Sequence, residues 1–351
     1  MILSQEKLSK LDPSDMRGTI RGFFEQVEEA VVIGRKCKVP AIGKNITNII
    51  LTGMGGSAIG ADLLRTYLSK QLRVPFIVNR HYTLPSFVDK NSLVLISSYS
   101  GNTEETLEAY EDAVRRKANI LCISSGGEVA KKAGSLKHPF ILIPGGLQPR
   151  AALGYSFFPL LYAMEKMGLI EIDENEITET ITVLKTLSGE AIDISDKNLP
   201  YSIAKQLYDK IVVIWSSSDL FEAVGVRWRG QINENAKNMA YSGIFPELDH
   251  NEIVGWENPH TILKSMVIVI LRDRDDHPRV VQRISITKDV LQGIPHGFIE
   301  IPPRGESRLA RMFSTIHLGD WVSYYLAILN ETDPTPVERI GYLKKELERA
   351  R

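Results

Sequence analysis

The sequence predicts an α/β protein of two similar halves, each a parallel β-sheet flanked by helices. Short apolar runs alternate with longer amphipathic stretches, and in the first half each apolar run is followed by a loop rich in Gly, Ser or Pro. This alternation is typical of parallel strands joined by crossover helices. The length of 351 residues also favours two domains of ordinary size.

Eight apolar runs are predicted as strands, five in the first half and three in the second. They are residues 48–52, 76–78, 93–97, 120–123, 140–143, 211–215, 266–271 and 297–301. The second-half strands are separated by amphipathic stretches around 224–237, 280–291 and 309–329. Residues 171–200 are charged, rich in Thr, Ser and Asp, and least sheet-like, so we place the boundary there and predict domains 1–172 and 173–351. A last helix is predicted near Thr335, where a polar cap precedes proline.

Composition and charge exclude several classes of protein. The 42 Lys and Arg residues balance 43 Asp and Glu residues, so the chain has no net positive charge that would attract nucleic acid or an acidic membrane. Neither a secretory signal nor an apolar stretch of about 18 residues is recognisable. Cys37 and Cys122 show no C-x-x-C spacing, and Cys122 is expected to be a small buried residue. We therefore expect a soluble cytoplasmic protein without nucleic-acid or membrane partners.

A glycine-rich loop follows the first strand and opens a helix. Residues 53–60 read GMGGSAIG, which lets backbone amides approach an anion at the amino end of that helix. Gly53, Gly55 and Ala58 also satisfy the G-x-G-x-x-A dinucleotide fingerprint. That alternative predicts an acidic residue about 20 positions later, but the end of the next strand reads VNR at 78–80.

A second candidate anion loop follows the third strand. Residues 97–106 read SSYSGNTEET, and a helix is predicted to begin near Thr103. One Ser or Thr before a helix is usually a cap. Four clustered hydroxyl residues around Gly101 exceed what capping requires, so they favour a phosphate monoester as ligand. They are Ser98, Ser100, Thr103 and Thr106.

Residues 53–57 and 98–104 resemble the two signature loops of sugar-isomerase (SIS) domains. The resemblance implies two subdomains with a doubly wound, flavodoxin-like parallel sheet. It also implies that the serine/threonine loop holds the phosphate of a phosphosugar. The implied substrate-binding residues of the two loops are Gly55, Gly56, Ser57, Ser98, Ser100 and Thr103.

Two segments of the second half offer groups for proton transfer between neighbouring carbons. Such a reaction needs a base, a positive group for the enediolate and an acid that opens the sugar ring. Glu234 lies between two asparagines on a predicted helix and is a candidate base. His250 lies in the polar loop 246–256 among acidic neighbours, where it is suited to proton donation near neutral pH.

Residues 233–237 (NENAK) together with 250–256 (HNEIVGW) resemble the bifunctional phosphoglucose/phosphomannose isomerases of the phosphoglucose isomerase superfamily, and the resemblance extends over nearly the whole chain. It implies that Glu234 shuttles a proton between C1 and C2 and that His250 assists ring opening. In this family the histidine comes from the partner subunit, so a homodimer with shared active sites is implied.

The resemblance also assigns residues outside these segments. Arg150, in the Pro149-Arg150 motif after the fifth strand, would steady the enediolate, and its guanidinium provides several fixed donors. Lys344 would help ring opening, with Lys345 as the adjacent alternative. Thr335 would be the family's active-site threonine, linked to tolerance of both C2 epimers, although its surroundings could equally form a turn and helix cap.

The function thus implied is an aldose-ketose isomerase that interconverts glucose 6-phosphate, and mannose 6-phosphate as well, with fructose 6-phosphate in glycolysis and gluconeogenesis. We expect no cofactor and no metal, since the histidines show no H-x-H or H-E-x-x-H spacing. One alternative is an SIS isomerase of another sugar phosphate. Another is a noncatalytic phosphosugar-binding protein, which would not need Glu234, Arg150 and His250 together.

Overall fold

Two parallel sheets organise the chain in the computed structural model, which describes residues 5–42, 45–193 and 198–350. The strands are β1 (Asn48–Thr52), β2 (Phe76–Asn79), β3 (Ser92–Ser97), β4 (Asn119–Ser124), β5 (Phe140–Leu142), β6 (Ile211–Ser217), β7 (Ala240–Phe245), β8 (Met266–Leu271) and β9 (Gly297–Ile301). The α-helices are α1 (Gln5–Leu11), α2 (Met16–Arg21), α3 (Phe23–Lys36), α4 (Gly55–Tyr67), α5 (Glu104–Arg115), α6 (Gly127–Leu136), α7 (Leu153–Lys166), α8 (Glu174–Ala191), α9 (Leu199–Leu207), α10 (Glu222–Asn235), α11 (His260–Leu263), α12 (Pro278–Val290), α13 (Arg308–Leu329) and α14 (Glu338–Arg349).

Contacts divide the described residues into two units. The five-stranded unit comprises residues 22–185 and 304–313, and the four-stranded unit comprises the described parts of 1–21, 186–303 and 314–351. Relative to the two halves predicted from sequence, residues 173–185 and 304–313 group with the first half, and the described part of residues 1–21 groups with the second. The predicted boundary between residues 172 and 173 remains a proposal.

The five-stranded unit has the strand order β2-β1-β3-β4-β5, with all neighbours parallel. This is the flavodoxin-like order, in which β2 lies on one side of β1 and the later strands β3, β4 and β5 are added on the other side. Ile50, Val94 and Ile96 are buried in one core cluster with Tyr110 and Cys122, so the expectation for Cys122 is confirmed. Continuous apolar strands suit a sheet that helices cover on both faces.

The four-stranded unit repeats the start of this topology, in the order β7-β6-β8-β9. Its core surrounds Trp215, whose ring meets those of Phe245 and Trp256 edge to face at centroid distances of 5.7 and 5.6 Å. Such aromatic contacts add to the free energy of burial. The fold class predicted from the sequence, two parallel α/β sheets, is therefore confirmed.

Strand β7 was not predicted, because its sequence AYSGIF lacks the continuous apolar run of its neighbours. It lies at the edge of its sheet and pairs only with β6 among the described strands, so its exposed positions tolerate Tyr241 and Ser242. A glycine and a serine inside a half-exposed edge strand weaken the pattern that identifies buried strands.

The predicted start of the last helix was wrong. Helix α14 begins at Glu338, and Val337 occupies the cap position without a side-chain hydrogen bond. The polar residues before it form a turn instead, in which the Thr335 N–H donates to Asp333 Oδ1 at 2.8 Å. An Asx turn competes with helix initiation for the same backbone groups, which explains the later start.

Helix α13 carries a buried polar cluster within the four-stranded unit. His317 Nε2 lies 2.8 Å from Ser188 Oγ and accepts from Trp321 Nε1 at 3.1 Å. Burial, together with the smaller effect of the Arg227 charge, lowers the pKa of His317 to about 3. The imidazole is therefore neutral in the folded protein at neutral pH.

No helix among the described residues is both long and apolar enough to cross a membrane.

Candidate functional site

Loops of the five-stranded unit converge at the carboxyl edge of its sheet. The glycine loop (residues 53–57) follows β1, the serine/threonine loop (98–103) follows β3, the β4 loop (125–127) follows β4, and the arginine segment (144–152) follows β5. In doubly wound sheets this edge forms the ligand crevice where the strand order reverses. The sequence therefore places its candidate phosphate-binding residues at the expected edge.

The serine/threonine loop is held by its own hydroxyl groups. The hydroxyls of Ser98 and Thr103 are 2.9 Å apart, and Ser98 Oγ also accepts from the Gly101 N–H at 3.1 Å. Ser100 Oγ accepts from the Asn102 N–H at 3.3 Å, and the Ser100 side chain is exposed. The loop leads into α5, whose first-turn amides face this edge and favour an anion.

The glycine loop packs on two neighbouring loops. Ser57 Oγ accepts from the Tyr99 N–H at 3.1 Å, which joins it to the serine/threonine loop. A Cβ on Gly56 would lie 2.4 Å from the Pro149 carbonyl oxygen, so this glycine allows close approach of the arginine segment. Gly55 begins α4 at φ +50°, a backbone conformation that side chains disfavour.

Sequence reasoning missed the part that the β4 loop plays in shaping this edge. The Val129 N–H donates to the Gly101 carbonyl at 3.0 Å, and the Glu128 N–H donates to Asn102 Oδ1 at 3.1 Å. Gly101 has φ +73°, and a Cβ there would lie only 1.9 Å from the Gly126 carbonyl oxygen. The signal was present as SSGG at 124–127, directly after a predicted strand.

The arginine segment is held by Gln26, a residue that no sequence pattern marked as part of the site. Pro149–Ala151 forms a 3-10 turn, and Arg150 is 4% exposed. Gln26 on α3 donates through Nε2 to the Ala151 carbonyl and accepts through Oε1 from the Gly154 N–H, both at 2.8 Å. This two-point amide clamp fixes the backbone on the carboxyl side of Arg150, at the end of the turn and at the start of α7.

Glu234 lies in the last turn of α10, between two asparagines that anchor the backbone. Asn233 donates to the Ala240 carbonyl at 3.2 Å and accepts from the Ala240 N–H at 3.1 Å, which ties the helix end to the start of β7. Asn235 is fully buried and donates to Ser323 Oγ on α13 at 3.0 Å. Side chains at successive helical positions diverge by about 100°. Glu234 therefore points neither towards Ala240, as Asn233 does, nor towards α13, as Asn235 does, and its side chain is half-buried.

A buried ion pair fixes α10 along its length. Arg227 Nη2 donates to both carboxylate oxygens of Asp320 at 2.9 and 2.8 Å, and Gln231 Nε2 donates to the same carboxylate at 2.8 Å. The side chains of Arg227 and Asp320 are 3% and 7% exposed. Burial raises the pKa of Asp320, and the guanidinium opposes this rise. The pair positions the helix that carries Glu234.

His250 ends a 3-10 turn (Glu247–His250) beyond the carboxyl end of β7, and its side chain is exposed. The neighbouring Asp249 anchors the turn, because its carboxylate accepts from Thr287 Oγ1 at 2.9 Å and Arg283 Nη1 at 3.2 Å. Asn233, the residue before Glu234, is bonded to Ala240 at the opposite end of β7. A six-residue strand spans roughly 16 Å, so the helix end that carries Glu234 and the turn that carries His250 lie at opposite ends of this strand.

The remaining predicted residues lie towards the carboxyl end of the four-stranded unit. Lys237 Nζ donates to the Asp333 carbonyl at 2.5 Å, which places the turn that holds Thr335 beside the end of α10. Lys344 is exposed on α14, as is Lys345. No three His, Cys, Asp or Glu side chains of the described residues cluster as a metal site would require.

Two family models match the chain. The SIS domain model matches residues 44–139, and the model of the bacterial phospho-glucose isomerase C-terminal SIS domain matches residues 196–347. Together these ranges hold the serine/threonine loop, Glu234, His250 and Lys344.

Curated relatives are similar over almost their full length. A protein of Caldicellulosiruptor bescii is 47% identical over 325 residues, which cover 92% of this chain and 96% of that protein. A protein of Aquifex aeolicus is 38% identical over 334 residues, which cover 94% and 97%. Both are named bifunctional phosphoglucose/phosphomannose isomerase.

Solved structures share the fold at low sequence identity. A glucose-6-phosphate isomerase like protein from Thermus thermophilus superposes with a TM-score of 0.63 at 16% identity, covering 95% of this chain and 97% of that one. The C-terminal domain of glucosamine-fructose-6-phosphate aminotransferase from Francisella tularensis gives 0.64 at 16% identity, covering 90% and 96%. Both structures therefore agree with the two-sheet SIS architecture.

Proposed function

Because this chain belongs to the family of bifunctional phosphoglucose/phosphomannose isomerases, we propose that its interlocked loops and its anchored glutamate are the working parts of an aldose-ketose isomerase. The family resemblance inferred from the sequence is confirmed. The enzyme is an intramolecular oxidoreductase that interconverts glucose 6-phosphate and mannose 6-phosphate with fructose 6-phosphate. The observation that carries the assignment of residues is the convergence of the glycine, serine/threonine and arginine loops at one edge of one sheet.

The loops of the five-stranded unit hold the substrate's phosphate. Hydroxyls of Ser57, Ser98, Ser100 and Thr103 supply donors, and the amino ends of α4 and α5 supply backbone amides, including those of Gly55 and Gly56. Ser98 and Thr103 are already hydrogen-bonded to each other. This pre-arrangement lowers the entropic cost of gripping the phosphate.

Glu234 is the base that transfers the proton. Its carboxylate removes the proton from C2 of the open-chain aldose, and the C–H electron pair forms the C1–C2 double bond while the carbonyl π pair moves onto O1. The proton of the C2 hydroxyl then passes to O1, and the same carboxyl group returns its proton to C1 as the C2 carbonyl forms. Arg150, next to Pro149, stabilises the negative charge that develops on the oxygens. A rigid helix end suits Glu234, because proton transfer depends on reach within hydrogen-bond distance.

Ring opening and epimer tolerance involve the remaining residues. His250 and Lys344 move a proton from the C1 hydroxyl of the aldose, or the C2 hydroxyl of the ketose, to the ring oxygen as the ring bond breaks. Thr335 contacts the sugar near C2 and permits both epimers. Interconversion of these sugar phosphates would serve glycolysis and gluconeogenesis, and we propose the cytoplasm as the location of the enzyme.

A second copy of the chain supplies His250. Within one chain, Asn233 bonds the helix end that carries Glu234 to the first residue of β7, whereas His250 follows the last residue of that strand, which supports a homodimer with shared sites. Co-expression of Glu234→Gln and His250→Ala chains tests this, because a heterodimer would rebuild one intact site. We expect the mixture to regain a substantial fraction of wild-type activity although each variant alone is nearly inactive. No gain in a mixture shown to contain heterodimers would refute sharing.

A coupled assay with fructose 6-phosphate tests the function itself. Glucose 6-phosphate and mannose 6-phosphate are scored separately, with and without EDTA. We expect both products and the same rates in the presence of EDTA. Activity that vanishes with EDTA and returns with zinc would contradict metal independence, and phosphosugar binding without turnover would favour a noncatalytic protein.

A further inference from the structure

Tyr99 is hydrogen-bonded to the glycine loop, the β4 loop and the arginine segment at the carboxyl edge of the five-stranded sheet. Its N–H donates to Ser57 Oγ in the glycine loop at 3.1 Å. Its carbonyl accepts from both the Ser125 N–H and Ser125 Oγ of the β4 loop, at 3.0 and 2.7 Å. Its phenol oxygen accepts from the Leu147 N–H of the arginine segment at 3.1 Å.

Only the last of these bonds uses the side chain. The backbone groups of residue 99 would keep the three bonds to Ser57 and Ser125 whatever the side chain were. The contact with Leu147 requires a hydroxyl at the tip of a long, rigid ring, and Leu147 is half-buried three residues before Arg150. A tyrosine between two substrate-binding serines therefore has a role that Ser98 and Ser100 do not share.

We propose that Tyr99 is a positioning residue, whose phenol sets the arginine segment, and hence Arg150, relative to the serine/threonine loop that grips the phosphate. This inference rests on the proposed function for the role of Arg150. The hydrogen bond from Leu147 to Tyr99 would then set the distance between the serine/threonine loop and Arg150. This bond lies at the amino end of the arginine segment, and Gln26 holds the carboxyl end.

The local environment supports this role. Burial raises the pKa of the Tyr99 phenol, so the group remains neutral near neutral pH, and the Leu147 N–H opposes this rise only in part. The tight contact of Gly56 with the Pro149 carbonyl leaves the segment little room to move towards the glycine loop. Loss of the phenol oxygen would therefore free the segment chiefly at Leu147.

Tyr99→Phe removes the hydroxyl and keeps the ring. We expect kcat for fructose 6-phosphate to fall about tenfold, while KM and the affinity for inorganic phosphate change less than about twofold, because the phosphate-binding hydroxyls and backbone bonds remain. Combined with Arg150→Ala, the substitution should add almost nothing to the loss caused by Arg150→Ala alone, since coupled residues are not additive. Additive losses, or loss of phosphate affinity equal to the loss of kcat, would overturn the proposal.

Tyr110→Phe is the matched control. It removes another hydroxyl of the same unit, one bonded to His138 Nδ1 at 2.7 Å and away from the loops, and we expect normal kcat. Hydrogen exchange at the Leu147 amide provides a readout that does not depend on turnover. It should accelerate about tenfold in Tyr99→Phe and stay unchanged in Tyr110→Phe; an unchanged Leu147 rate in Tyr99→Phe sinks the proposal. Absence of wild-type turnover would instead refute the proposed function.

Discussion

Ser57 and Tyr99 join the glycine loop to the serine/threonine loop, because the Ser57 hydroxyl accepts a hydrogen bond from the Tyr99 backbone N–H at 3.1 Å. Ser57 is buried, and its oxygen is shared between structure and the proposed binding of substrate. The five-stranded unit therefore shapes its ligand site with the same hydroxyl that would contact the ligand.

Ser57→Ala should raise KM for fructose 6-phosphate about tenfold or more. The substitution deletes one donor to the phosphate. It also leaves the Tyr99 N–H without its acceptor, and an unsatisfied buried donor costs about 1–3 kcal/mol of free energy. Steady-state kinetics with a thermal melt measure the effect. Ser69→Ala is the control, since the Ser69 hydroxyl donates to the Thr66 carbonyl away from the loops. Equal KM values in the two variants would contradict the assignment of Ser57.

Gly101→Ala should abolish phosphate binding. The added Cβ would lie 1.9 Å from the Gly126 carbonyl, and the residue would have to keep φ +73°. Both effects displace the serine/threonine loop. Gly134→Ala in α6 is the control, because a Cβ there meets no atom within 4 Å and alanine favours a helix. Titration with inorganic phosphate compares the two, and retained affinity in Gly101→Ala would show that the loop can shift without cost.

Glu234→Gln should lower kcat about 10²–10⁴-fold while substrate still binds, because the amide keeps the shape of the side chain and loses the base. Glu331→Gln removes a carboxylate of the same unit that pairs with Lys7 at the surface, and it should keep normal kcat. Single-turnover kinetics and direct binding of fructose 6-phosphate separate the two effects. Turnover close to wild type in Glu234→Gln would eliminate the proposed base.

Asp320→Asn should destabilise the four-stranded unit by about 3 kcal/mol, because it leaves the buried Arg227 charge uncompensated. Glu300→Gln breaks partly exposed ion pairs with Arg272 and Lys288 and should lose less than about 1 kcal/mol. All four tryptophans lie in this unit, so their fluorescence during urea unfolding reports its stability. Similar midpoints for the two variants would show that the buried pair contributes no more than the surface one.

Acid should destabilise the four-stranded unit through His317. Its folded pKa of about 3 lies below the unfolded value near 6.5, so the unfolded chain takes up the proton first as the pH falls. The stability that neutral His317 contributes is present above pH 6.5 and is lost below it, by about 2 kcal/mol between pH 7 and pH 5. Urea midpoints at both pH values compare wild type with His317→Gln. The variant should lose less on acidification, and parallel losses would exclude His317 as the source.

The buried strands and the positions of the two loops after β1 and β3 could be predicted from the sequence, because each has a strong local pattern. The apolar runs at 266–271 and 297–301 coincide with β8 and β9, and the helix predicted near Thr103 begins at Glu104. Strand β7 and the start of α14 could not be predicted in the same way. An edge strand lacks the apolar pattern, and the Asp333 side chain redirects backbone groups that a helix would otherwise use.

Supporting contacts left less trace in the sequence than the residues they support. Gln26 and Asn233 each make two amide hydrogen bonds to backbone outside their own helix. No pattern in the neighbouring sequence indicates these bonds. The opposite placement of Glu234 and His250 along β7 depends on a strand that the sequence pattern conceals. Residue types indicate the chemistry, whereas the geometry that permits it depends on tertiary pairing.

The crossing of Gly101 and Gly126 also limits how this edge of the sheet can evolve. Gly101 lacks space for any side chain, and Gly126, at φ +149°, has a backbone conformation that other residues rarely adopt. A side chain at position 101 would push the serine/threonine loop away from the β4 loop, whereas at position 126 the cost lies in the backbone conformation. Variants of this chain that keep both loops in place must therefore keep glycine at position 101.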